Sequence, residues 1–338
     1  MAIDLTYVSP LIRVVVCAVL ACVACVAILQ TLLRTGLAWR LATDIPNERS
    51  LHERPTPRVG GWGIVPVVLV AMILTSGYWV IAGCVAFLAA VSQIDDRRGL
   101  PARVRFAAHV AAVVVVLAVY RAPVLWWVSI VLAIALVWLI NLYNFMDGSD
   151  GLAGGMALFG FGGYTIAALT SSHPDMTLAL TCAGIAGAAA GFLTLNFHPA
   201  RIFLGDAGSI PMGFLAGTLG YLGWRSGVWP FWFPVMAFAP FIGDASVTLA
   251  RRLARGEKFW QAHREHFYQR MVRSGVGHRR TALRWYAVML VGIILAVGAL
   301  DRPGVVQLSI VVVWACVLAL MGLAIDARWR RSASDASK

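Results

Sequence analysis

Charge is scarce in this chain, and acidic charge is the scarcer half. Only 13% of the 338 residues are Asp, Glu, Lys or Arg, against about 25% in a water-soluble domain. With 60% hydrophobic residues and a mean hydropathy of +0.77, this shortage excludes two ordinary soluble domains and points to a membrane protein. Cysteine is also sparse. The six present form no pattern of a disulfide framework. Cys22 and Cys25 spell a CxxC, but both sit inside an apolar run, where a thiol acts as a small hydrophobe. A cleavable leader is not expected either. The first apolar run, about 11–33, is too long for one, carries Arg13, and lacks a small-residue cleavage site after it. It reads as a first, uncleaved span.

What the chain does have is long apolar runs. A helix needs about 20 apolar residues to cross a bilayer. Eleven segments qualify: 9–34, 60–76, 78–94, 104–120, 123–143, 151–171, 177–196, 209–223, 228–250, 282–300 and 303–325. Ten is the alternative, because 60–94 can be divided differently at Ser76-Gly77. The expected fold is therefore all-α, a polytopic membrane helix bundle. It forms one transmembrane domain over 1–326, followed by a tail at 327–338.

The net charge is +12, from 28 basic and 16 acidic residues. Such an excess suits nucleic acid, or loops retained on the cytoplasmic side of a bilayer. Alternating the spans decides between them. One side receives 35–59, 95–103, 144–150, 197–208, 251–281 and the tail. The other side holds only Arg13, Arg121, Arg225 and Arg302 among the 28 Lys and Arg. The first side is thus cytoplasmic, with the N-terminus periplasmic and the C-terminus cytoplasmic. The basic residues line a membrane surface and match no nucleic-acid module. Anionic lipid headgroups and substrate phosphates are the simpler partners.

The polar motifs all fall on that cytoplasmic side. The first loop, Asn47 to Gly61, offers His52 and Arg58 to phosphates within a Pro-Thr-Pro-Arg stretch; a plain basic membrane anchor is the alternative. Asp95-Asp96 end the third span. Adjacent carboxylates repel unless a cation joins them, and such hard oxygen ligands suit Mg²⁺; a self-neutralising turn with Arg97-Arg98 is the bland reading. The sharpest signal is Asn141-Leu-Tyr-Asn144-Phe-Met-Asp147-Gly148-Ser-Asp150-Gly151. Its glycines permit a tight turn, and Asp150 stands at the start of the sixth span, favourable for an anion. Asp206 lies between glycines in Gly205-Asp206-Ala207-Gly208-Ser209, and can bind a cation or merely cap a helix. Asp244 lies within the ninth span, where a carboxylate needs a function or a partner, for which Arg251 and Arg252 are nearest in sequence. His263 and His266 would share a helix face, and with Arg252 and the other arginines of the last loop would donate to a diphosphate. An interfacial helix packing Phe259, Trp260 and Phe267 is the alternative there.

In these motifs and their order the sequence resembles the polyprenyl-phosphate N-acetylhexosaminyl-1-phosphate transferases, glycosyltransferase family 4. The likeness runs from the Pro-Thr-Pro-Arg loop to His266. It implies Asp95 and Asp96 in metal, phosphate or base roles and Asp206 as the principal Mg²⁺ ligand, with Mn²⁺ able to substitute. It places Asn144, Asp147 and Asp150 near the nucleotide and the catalytic centre, and His263 and His266 against the donor. Arg58, Asp244 and Arg252 join the expected substrate-binding set. The last loop reads His-Arg-Glu-His and lacks the contiguous histidines of the phospho-N-acetylmuramoyl-pentapeptide transferases, more distant members. It looks closer to the O-antigen-initiating branch.

The implied reaction moves an N-acetylhexosamine 1-phosphate from a UDP-sugar to undecaprenyl phosphate, at the cytoplasmic face of a bacterial inner membrane. A homodimer is left open. A lipid-linked sugar transporter would need polar groups at mid-membrane and on both faces. A scaffold for other glycan enzymes would release no UMP.

Overall fold

The structure, a computed structural model, describes residues 9–46, 51, 54–75, 77–258 and 263–336. His52, Phe259 and Trp260 lie outside the described residues. The rest is almost wholly helical: α1 (Pro10–Arg34), α2 (Leu37–Leu41), α3 (Gly60–Thr75), α4 (Trp79–Arg98), α5 (Ala102–Val119), α6 (Trp126–Phe145), α7 (Leu152–Thr170), α8 (Met176–Asn196), α9 (Asp206–Arg225), α10 (Trp232–Ala237), α11 (Ala239–Ala254), α12 (Phe267–Met271), α13 (Gly277–Ala299) and α14 (Gly304–Ala336). Two-residue strands β1 (Thr43–Asp44) and β2 (Thr56–Pro57) pair antiparallel.

Every expected span is present as helix. Eight helices are long and apolar enough to cross a membrane. The remaining three expected spans depart from that standard. α3 has 16 residues, and the Gly-rich α9 is less apolar. The span expected at 228–250 is broken between α10 and α11, where Phe238 leaves the helix before Pro240. At the C-terminus α14 runs on through 326 to Ala336 without a break.

Burial follows an order that a soluble protein would reverse. The most apolar helices, α1 and α14, with hydropathies of 2.9 and 2.7, are only 17% and 11% buried, whereas the milder α7 and α8 are 72% and 83% buried. Apolar faces can stay outward only where the surroundings are apolar too, so the bilayer is the partner of that surface. The centre is instead built for close backbone approach, as small residues allow within membranes. A Cβ on Gly187 would lie 2.1 Å from the Ala18 carbonyl oxygen, and one on Gly191 2.5 Å from that of Cys22. α1 thus seats directly on α8. Cys22 and Cys25 belong to that contact, and all six cysteines are free.

The connecting segments gather at the two ends of the bundle. At one end Tyr221 Oη donates to the Tyr120 carbonyl at 2.6 Å, Arg225 Nε to the Arg121 carbonyl at 3.0 Å, and Trp232 Nε1 to Gln307 Oε1 at 3.0 Å. The other end is strapped together. Phe203 N–H donates to the Pro57 carbonyl, Gly60 N–H to that of Phe203 and Gly61 N–H to that of Leu204, all within 2.9 Å. The last two satisfy N–H groups at the start of α3, which has no preceding turn to receive them. They also lay the first long loop along the chain that enters α9.

That contact is tight. A Cβ on Gly61 would sit 2.5 Å from the Gly208 nitrogen and 2.6 Å from the Ala207 carbonyl carbon. Gly61→Ala must push α3 from α9, and we expect a loss of about 1–3 kcal/mol. Thermal unfolding in detergent checks this; an unchanged melting temperature would show that the two helices separate freely.

Candidate functional site at the strapped end

Arg58 follows β2 directly and bridges to Phe203, which carries its side chain toward α9. Gly205 is held at φ +72, and a Cβ there would come within 3.3 Å of Arg58, so only glycine fits comfortably at this crossing. Asp206 is the next residue. Arg58 Nη2 lies 3.4 Å from Asp206 Oδ1, and Nη1 lies 3.7 Å from Asp96 Oδ1. One guanidinium therefore stands between carboxylates from α4 and α9. Burial alone would lower the Arg58 pKa, but Asp206, Asp96, Asp44 and Asp147 outweigh it and hold the group above its ordinary value.

Asp147 completes the acidic set from the turn between α6 and α7. Burial pushes its carboxyl up to about 7, with Arg58 opposing, Asp206 adding to the rise, and the Gly205 N–H bonding it. Asn144 hydrogen-bonds Asp206 and accepts from Ser209 Oγ at 2.6 Å. The two Asp motifs and the basic loop thus meet through named bonds.

The aspartate pair divides. Asp96 joins the cluster, and its Oδ2 is buried without a hydrogen-bond partner. Asp95 has both oxygens engaged elsewhere: Oδ1 accepts from Leu100 N–H at 2.6 Å and Oδ2 from Arg105 at 2.9 Å. It closes the turn from α4 to α5, so of the two aspartates expected in metal, phosphate or base roles only Asp96 faces Arg58. Adjacent residues on a helix point about 100° apart, and only one can face Arg58.

Among the described residues, no three His, Cys, Asp or Glu side chains form a self-sufficient metal site. Mg²⁺ does not need one. It usually takes one or two carboxylates and completes its shell with water and substrate phosphate. Asp206 and Asp96, the latter with an unpartnered oxygen, fit that pattern.

Beside this cluster lies a second one that sequence reading missed in part. Asp150 Oδ2 lies 2.6 Å from His198 Nδ1 and accepts from Ala200 N–H at 3.2 Å. His278 Nδ1 is 2.9 Å from Ser149 Oγ, its Nε2 is 3.1 Å from the Leu51 carbonyl, and its ring stacks on His198. His198 and His278 are isolated in sequence. Only their places at the ends of helices on the motif-bearing side hinted at them.

The last loop differs from expectation. His263 and His266 are not on one helix face; His263 lies in irregular chain and His266 caps the start of α12. Their rings still meet, with centroids 4.7 Å apart, and His266 stacks on Phe145 beside the Asp147 turn. Asp244 is paired, but not with Arg251 or Arg252. It accepts from Phe267 N–H at 2.9 Å and Tyr268 N–H at 3.0 Å, and lies 3.2 Å from His266 Nδ1. Arg252 is buried against Glu257 at 2.7 Å, and Arg251 bonds Asp326 at 2.6 Å. Among the expected site residues, Asp244 and Arg252 thus build the loop that presents His263.

Burial lowers the His263 pKa to about 4, with His266 and Arg252 adding to the fall. Its Nδ1 accepts the Glu265 N–H at 3.3 Å, so the neutral ring carries its proton on Nε2. The folded value lies below the ordinary 6.5. This contribution to stability is therefore whole above pH 6.5 and lost as pH falls toward 4. Between pH 7 and pH 5 the melting temperature of wild type should therefore fall more than that of His263→Gln, which has no imidazole there to titrate. Parallel curves would rule out this linkage.

Comparison with known proteins agrees with the geometry. Residues 78–223 match the model of glycosyl transferase family 4. The chain is 28% identical over 319 residues to the probable undecaprenyl-phosphate N-acetylglucosaminyl 1-phosphate transferase of Bacillus subtilis (strain 168), covering 87% of this chain and 88% of that one. It is 32% identical over 328 residues to the decaprenyl-phosphate N-acetylglucosaminephosphotransferase of Mycobacterium tuberculosis (strain ATCC 25618 / H37Rv), covering 81% and 80%. A phospho-N-acetylmuramoyl-pentapeptide-transferase of Geobacillus kaustophilus (strain HTA426) matches over only 47% of this chain, at 32% identity. With a relative 32% identical over four-fifths of both chains, the chain belongs to glycosyl transferase family 4.

Proposed function

We propose that the protein transfers an N-acetylhexosamine 1-phosphate, N-acetylglucosamine 1-phosphate foremost, from a UDP-sugar to undecaprenyl or a similar polyprenyl phosphate. An oxygen of the lipid phosphate attacks the β-phosphorus of the donor. The bond from that phosphorus to the bridging oxygen breaks, and UMP leaves with the electron pair. The products are polyprenyl-diphospho-sugar and UMP, the first lipid intermediate of O-antigen or another envelope glycan. The observation that carries this reading is the meeting of Arg58, Asp96, Asp147 and Asp206 at one end of a membrane bundle. The names of the relatives, which specify polyprenyl-phosphate acceptors and N-acetylglucosamine phosphate, support the same substrates.

The chemistry sets what the residues must do. A phosphate monoester has a second pKa near 6, so the acceptor is largely ionised at neutral pH. The harder task is to bring two anions together, and phosphoryl transfer is mostly positioning and charge neutralisation. Arg58 supplies fixed positive charge and forked donors. Mg²⁺ bound through Asp206 and Asp96 would neutralise the donor diphosphate. Asp96 orients the acceptor, Asn144 and Ser209 hold Asp206 in place, and His263 offers Nε2–H to the donor phosphates. The positive-inside charge bias puts this end at the cytoplasmic face, where nucleotide sugars are made.

Membranes bearing the protein, given radiolabelled UDP-N-acetylglucosamine and undecaprenyl phosphate, should form labelled lipid and release UMP, and EDTA should stop both. Label that stays water-soluble with every UDP-N-acetylhexosamine tried would reject the proposal in favour of a transporter or scaffold.

A further inference from the structure

The last helix, α14, is only 11% buried, yet its C-terminal part carries a buried charge. Asp326 is 6% exposed. A carboxylate placed there must be paired, because an unpaired buried charge is costly. It has two partners on two other helices. Asp326 Oδ2 accepts from Arg251 Nη1 of α11 at 2.6 Å, and Oδ1 accepts from Arg270 Nη1 of α12 at 2.5 Å. Those two guanidiniums share a further neighbour. Arg251 Cζ lies 5.2 Å and Arg270 Cζ 5.8 Å from the centre of the Phe267 ring. Two cations gathered on one ring repel each other unless an anion joins them, and Asp326 is that anion. α14 also meets the ring directly, since a Cβ on Gly322, one turn before Asp326, would come within 3.1 Å of Phe267 Cζ.

From Arg270 the contacts lead on to the histidines. Arg270 Nη2 lies 3.6 Å from Glu265 Oε2, and the Glu265 N–H donates to His263 Nδ1 at 3.3 Å. That second bond sets which ring nitrogen of His263 is left with the proton. We infer that Asp326 is a positioning residue for the donor: it fixes Arg251 and Arg270 on Phe267 and, through Arg270 and Glu265, sets where His263 stands. This rests on the proposed function, in which His263 offers Nε2–H to the donor phosphates. The effect belongs to one substrate. Every residue of this path lies on α11, α12, α14 or the chain just before α12. The Arg58–Asp96–Asp206 cluster stands on other elements, the first loop, α4 and α9.

In the full-length protein in nanodiscs, Asp326→Asn should raise the KM for UDP-N-acetylglucosamine about tenfold, the scale of a misplaced binding group. It should leave the KM for undecaprenyl phosphate unchanged. Asp326→Glu keeps the charge and should recover most of the loss. The deciding measurement is a cycle with His263→Gln. Where His263 is already glutamine, Asp326→Asn should add less than about twofold to the donor KM, because residues acting along one path are not additive. A carboxylate that merely holds three helices together would cost the same factor in both backgrounds, or would raise the KM for both substrates alike. Either result overturns the assignment. Should Asp326→Asn not fold, Arg270→Gln breaks the same path at its next link and is read by the same cycle. A wild-type protein that transfers no sugar phosphate to undecaprenyl phosphate would instead reject the proposed function, so the two failures are distinct.

Discussion

Asp206→Asn should lower transfer by about 10³-fold while the protein still inserts, folds and elutes as wild type. The size comes from the loss of one preorganised electrostatic group at a reacting phosphate. The amide keeps the shape and can still bond Asn144, so packing around Ser209 should hold. What disappears is the charge that faces Arg58 at 3.4 Å and, in the proposed reaction, binds Mg²⁺. The variant should also lose the response of its residual activity to added Mg²⁺. Initial rates over a Mg²⁺ series, with a melting curve to confirm folding, check both points. Asp206→Asn with wild-type rates would remove this residue from the metal role and from the centre of the site.

Asp244→Ala should act through stability instead. The Asp244 side chain is fully buried, and both its oxygens are used: Oδ1 toward Phe267 N–H, Thr248 Oγ1 and His266, and Oδ2 toward Tyr268 N–H. The carboxylate therefore takes the place of the turn that would precede α12, capping its first N–H groups. Alanine strands those donors in a closed interior. Breaking a buried charged network typically costs about 3–5 kcal/mol, against a total stability of only about 5–15 kcal/mol. We expect a large fall in melting temperature, with the segment from His263 to Met271 becoming accessible to protease first. Asp244→Asn keeps one acceptor and should lose less. If alanine melted like wild type, the α12 cap would be dispensable and Asp244 would have to be reconsidered as a direct substrate contact.

Much of this molecule was legible because a bilayer imposes simple rules on sequence. Apolar length marks a helix, and all eleven expected segments are helical, although α10 and α11 split one of them at Phe238. The break was hard to foresee, since apolar length alone does not report where a helix is interrupted. The convergence of Arg58, Asp96, Asp147 and Asp206 was also foreseeable, as motifs restricted to one side of a membrane have only one surface on which to meet. Asp95 and Asp96 could not be told apart. They are identical in type and adjacent, and only the rotation of α4 sends one toward Arg58 and the other toward Arg105. Asp244 was read against its nearest arginines, but its partners are backbone N–H groups more than twenty residues away. Backbone donors leave no trace in composition. His198 and His278 had no motif around them and acquired their meaning by stacking beside Asp150.

The sequence by itself determined that this chain spans a membrane many times, which end of the bundle carries its charge, and which motifs share that end. Those properties follow from transfer free energies summed over local stretches, and they need no knowledge of neighbours. Only the tertiary structure decided which carboxylate faces the guanidinium, which aspartate serves as a helix cap, and which one ties α14 to α11 and α12. Each of these depends on how one helix is rotated against another, and that rotation is set by side chains distant in sequence packing at once.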